Sequence, residues 1–87
     1  MTGIDLSPQI EAIMSADMTE IEKLSKAYVL IISEQIEIVK REIELCKVLG
    51  DQDRVIKEQI KANTMEYTLS MFRHLHLRAT GRKVSDE

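Results

Sequence analysis

His74 and His76 are the only histidines of the chain. On a helix, at about 100° per residue, two positions of separation put them about 200° apart, on opposite sides. They cannot close on one metal ion as i,i+4 histidines do. His76 falls on a row of apolar residues, where a packed imidazole is a better reading than a ligand or a catalytic base. Cys46 is the only cysteine, so no intrachain disulfide forms. It shares an apolar row with Val39 and Ile43, where a buried thiol is the ordinary outcome. A nucleophile would need an activating base in an electropositive setting. Its nearest charged neighbours, Glu42 and Lys47, do not supply one. One cysteine and two diverging histidines also exclude a structural zinc site. The carboxylates stand beside neither a glycine-rich loop nor a histidine. No phosphate-binding loop, dinucleotide-binding glycine pattern, HExxH or EF-hand sequence is present. The sequence therefore offers no catalytic residues, metal ligands or cofactor, and the expectation is a protein that is not an enzyme.

Arg73, Arg78, Arg82 and Lys83 make a basic segment that could meet nucleic acid or acidic lipid. Two features weigh against nucleic acid. The net charge is −3, and no aromatic is interleaved with these cations. Charge also has a direction along the chain. Residues 1–22 hold five acids and no Lys or Arg, residues 73–83 hold the four cations and no acid, and residues 23–72 balance at eight against eight. The basic end is better read as the complement of the chain's own acidic start, or of a second copy's.

The elements that would position these residues are helices. Eighty-seven residues make one domain. Three glycines and one proline are too few for the frequent turns of a β-sandwich. The apolar fraction of 44% excludes a disordered chain. The longest uncharged apolar run, residues 27–32, is far below the roughly 20 residues of a membrane span. The start lacks a signal-peptide pattern, which points to a cytoplasmic protein. Ser7-Pro8 reads as a helix start with Ser7 as cap. Asp17 through Glu20 reads as a second start, an acidic cap with Glu three residues on. Gly50 sits where a C-terminal cap belongs, with Asp51 or Asp53 to cap the next helix, and Gly81 offers another stop. The reading is all-α: a short helix over 7–16, long helices over 18–49 and 52–79, and a frayed polar tail over 80–87. The turn at Gly50 makes the long helices an antiparallel hairpin and sets residue 78 near residue 22.

Two apolar rows run along 18–49. One is Ile21, Leu24, Tyr28, Ile31, Gln35, Ile38, Glu42, Leu45 and Leu49. The other is Val29, Ile32, Ile36, Val39, Ile43 and Cys46. Together they cover roughly 200° of the helix, more than one neighbour can bury. Ile32, Ile36, Val39 and Ile43 are the expected hairpin or dimer core. Gln35 and Glu42 interrupt the first row. A polar residue in such a seam commonly fixes register, and the plainer alternative is that both simply reach water. Glu22/Lys26, Glu37/Arg41 and Lys40/Glu44 are spaced as i,i+4 ion pairs on the polar side. The last helix also has two apolar sides. Val55, Ala62, Met65, Leu69, Phe72, His76 and Ala79 form the main row, and Ile56, Ile60, Tyr67 and Met71 lie elsewhere. The second group reads as a partner-binding face, unless the short N-terminal helix folds over it with Ile10, Ile13 and Met14. The sequence thus points to a protein–protein interaction module, an assembly subunit, adaptor or small chaperone that self-associates as a helix bundle or binds another helical protein. A small nucleic-acid-binding regulator is the alternative.

In general form, a helical hairpin of fewer than 100 residues resembles small subunits and chaperones of bacterial type III secretion systems, and small phage and regulatory proteins. The similarity covers architecture alone. The proline-containing loop of the needle subunits is missing from Gly50 to Asp53, as is the tryptophan-glycine turn of small secreted hairpin proteins. No residue role carries over.

Overall fold

The computed structural model describes residues 5–84. They form three helices, α1 (Ser7–Ser15), α2 (Glu20–Leu49) and α3 (Gln52–Thr80). The long helices begin and end where backbone groups find partners. Thr19 caps α2 in a reciprocal box: its hydroxyl accepts from the Glu22 amide, and the Glu22 carboxylate accepts from the Thr19 amide, each at 3.2 Å. Asp17 is therefore not the cap. The break expected near it spans residues 16–19, and α2 starts two residues beyond the expected 18. Ser7 is not a cap either. It is the first residue of α1, and its amide donates to the Asp5 carboxylate at 3.0 Å. Gly50 ends α2 at φ 76°, a left-handed conformation that costs a residue with a Cβ about 1–2 kcal/mol. The Asp51 carboxylate then accepts from the Arg54 amide and opens α3.

This two-residue connection forces α2 and α3 into an antiparallel hairpin. Val39, Ile43 and Cys46 pack on Val55 and Ala62 near the turn, with Met65 against them. Ile36 is also buried, Ile32 is half-buried, and Gln35 is exposed, outside the hairpin core. Ala79, counted with the α3 core row, is exposed as well. Farther along, the Tyr28 and Phe72 rings meet at 4.4 Å between centroids. At the open end Ser25 Oγ and His76 Nδ1 share a 2.7 Å hydrogen bond across 51 residues of sequence, both side chains being buried.

The chain past α3 is not frayed as far as Val84. Gly81 turns at φ 74°, the Thr80 hydroxyl donates to the His76 carbonyl and accepts from the Arg82 amide, and Val84 is buried. Arg82 reaches Glu22 at 2.5 Å. The basic end does meet the acidic start of α2, but through Arg82 folded back by this turn. Arg78, the residue counted opposite Glu22, is exposed. The ion pairs also differ from the expected i,i+4 set. Lys40 crosses the hairpin to Glu66 at 3.1 Å, Arg41 pairs with Glu34, and Arg54 crosses to Glu42 at 2.6 Å.

α1 packs on α2, and its backbone stays away from that of α3. The molecule measures 48 × 28 × 14 Å, so it is a layer one helix thick. Its radius of gyration is 15.4 Å, against about 12 Å for a compact domain of this length. Its accessible surface is 6347 Å², against about 5200 Å² expected for its mass. Stable domains pack two layers around one core, and the described residues supply only one.

Candidate interaction surfaces

Cys46, near the turn, and His76, at the open end of the hairpin, are both buried. Cys46 is 1% exposed, and burial pushes its thiol above the ordinary range, against the Arg54 charge. Its sulfur lies 4.0 Å from the Glu42 carboxylate, itself already held by Arg54. His76 is enclosed with Ser25, while His74 faces solvent. Among the described residues no three His, Cys, Asp or Glu side chains gather closely enough to hold a metal ion. An open, mostly apolar cleft of about 470 Å³ lies between α1 and α2, where Ile13, Ala16 and Met18 approach Val29 and Leu30. It marks how loosely the short helix covers its neighbour.

The four cations of the basic segment do not form one stripe. Arg73 and Arg78 are five positions apart on α3, which turns them about 140° from each other. Arg73 lines the cleft beside α1, Arg82 is tied to Glu22, and Lys83 borders a smaller cavity with Lys26 and His76.

The exposed apolar surface is more organised. Ile56, Ile60, Tyr67 and Met71 are between 47% and 68% exposed. They lie about 180° around α3 from the residues that pack on α2. With α1 packed on α2, no helix among the described residues covers them. Because α3 has apolar residues on opposite sides, it has no net amphipathic direction, unlike a helix at the edge of a closed core.

A second exposed row is visible in the sequence as periodicity, but not as a surface. On α2, Ile21, Leu24, Ile31, Leu45 and Leu49 are 39% to 69% exposed. Tyr28 and Ile38 beside them are half-buried. This row lies about 90° around α2 from the hairpin seam, so it forms one broad side of the layer. The other broad side of α2 carries Ser33, Glu37, Lys40 and Glu44, and Lys40 there bridges to Glu66. One face is apolar and the other charged.

Among the described residues no helix is long and apolar enough to cross a membrane. No protein-family model matches the chain, and neither a curated protein nor a solved structure is significantly similar to it.

Proposed function

We propose that this protein is a non-enzymatic interaction module, an adaptor, assembly subunit or small chaperone that works by covering apolar helix faces with another helical surface. The observation that carries the reading is the single-layer architecture, which leaves one apolar row on α2 and another on α3. Monomeric soluble proteins seldom expose contiguous apolar patches beyond a few hundred Å². Here large aliphatic side chains line up at helical spacing, the pattern by which helices dock into grooves or bundles. The hairpin supplies a stiff frame: a buried seam, a left-handed glycine at the turn, and a polar latch at the open end hold both rows in fixed geometry.

The test is sedimentation of Leu24→Asp and Ile60→Asp variants, with helix content followed by far-UV circular dichroism. Both positions face solvent, so the fold tolerates either change. The reading predicts that an aspartate in a working row lowers the sedimenting mass while helix content is kept. Wild-type mass for both variants overturns it.

A further inference from the structure

We infer that the α2 row docks a second copy of this chain, antiparallel, with Gln35 on the two-fold axis. The inference rests on the interaction reading above and specifies its partner and register. From Ile21 to Leu49 the row steps by alternating threes and fours, the heptad spacing of a helix seam. It runs about 42 Å along the helix. Gln35 stands midway, fourteen residues from either end. A two-fold axis through it sets Ile21 on the partner's Leu49, Leu24 on the partner's Leu45, and Ile31 on the partner's Ile38. The two polar interruptions then fall opposite polar groups of the second copy, Glu42 keeping its Arg54 pair within the chain. Gln35 meets its own copy, and a primary amide can donate to and accept from its equal. Glu42 comes opposite the partner's Tyr28, whose phenol is a hydrogen-bond donor to a carboxylate. In a parallel pairing Glu42 would instead face the partner's Glu42 across the seam, each carboxylate held by its own Arg54 and with no donor from the other chain. Glu34, the acidic group on the outer flank nearest the axis, is held by Arg41 at 3.5 Å and brings no bare charge to it.

Size and symmetry agree. An isologous contact needs a patch complementary to itself, and this row is apolar at both ends with its amide at the centre. The whole molecule extends 48 × 28 Å in the plane of the layer, room for the about 800 Å² per partner that a standard interface uses. Phe72 and Leu75 of α3 flank the row on the same side, Phe72 through its contact with Tyr28. Two stacked hairpins form a four-helix bundle, which supplies a second layer. The α3 strip of Ile56, Ile60, Tyr67 and Met71 stays outside it, on the edge.

The test is disulfide trapping in the full chain. In a Leu24→Cys/Leu45→Cys variant the two thiols lie about 31 Å apart along one helix, so only a partner can join them. Buried Cys46 stays in place, and peptide mapping assigns the bonds. The inference predicts 24–45 links between chains, and 35–35 links in a Gln35→Cys variant. It also predicts that Leu24→Asp weakens self-association at least about 100-fold, because each dimer loses two leucines. Ile60→Asp leaves the dimer intact. A dimer that gives 24–24 links, or none, overturns this register while the interaction reading stands. A chain that stays monomeric overturns the second copy as occupant.

Discussion

The Ser25–His76 contact closes the open end of the hairpin, and its cost when broken can be worked from the structure. Ser25 is 4% and His76 6% exposed, with 2.7 Å between Oγ and Nδ1. Ser25→Ala removes the hydroxyl and leaves the ring nitrogen without a partner or water. An orphaned buried polar group costs about 1–3 kcal/mol. In a domain of this size that lowers the melting temperature by about 4–8 °C for each kcal/mol. His76→Leu orphans only the hydroxyl, which can turn to the carbonyl four residues back in its own helix, so its cost lies at the low end. The double variant Ser25→Ala/His76→Leu removes both polar groups. It should cost less than the two single changes together, with a coupling of about 1–2 kcal/mol. The assay is urea unfolding followed by circular dichroism, at one protein concentration because association contributes to stability. A Ser25→Ala variant within about 0.3 kcal/mol of wild type, or single changes that simply add, would refute the claim that this bond holds the hairpin end.

Three further outcomes rest on the same geometry. Gly50→Ala meets no atom within 4 Å but keeps φ near 76°; it should destabilise by about 1–2 kcal/mol from backbone strain alone, and a neutral effect in urea unfolding would show that the turn relaxes. The Thr19 backbone hydrogen bond holds the Glu22 carboxyl below the usual range, burial opposing and the Arg82 charge assisting; a pKa depressed on folding contributes stability above its ordinary value and loses it as pH falls through the folded one, so Glu22→Gln should flatten the acid limb of the stability profile, and an unchanged limb would remove that role. Cys46, enclosed and with its thiol pushed up, should react with an aromatic disulfide reagent only as fast as the chain opens, and rapid labelling of the folded protein would contradict its burial.

The features legible in the sequence are those a local rule governs. Gly50 and Asp51 announce the turn because one needs left-handed backbone and the other caps. The rows containing Val39 and Val55 announce the seam by spacing. The start of α2 lies two residues later than its expected place because Asp17–Glu20 and Thr19–Glu22 both satisfy the capping pattern. The Thr19 box holds Glu22, which also meets Arg82. Which α2 row faces α3 is not marked by periodicity. The row that does so ends in small residues, Ser25 and Cys46, which let the helices approach. The destination of α1 is equally open in the sequence, since Ile13 could cover either long helix. The Ser25–His76 bond joins residues 51 apart and arises from no local spacing. Gln35 shows the same limit: one polar residue in an apolar row looks alike whether it meets water or a two-fold axis.

If another copy of the chain supplies the second layer, the protein is a dimer in solution. Molar mass by light scattering over a dilution series tests it directly. The account predicts about twice the 10.0 kDa chain mass at high concentration, falling towards a single chain on dilution. A value of 10.0 kDa at every concentration would contradict it.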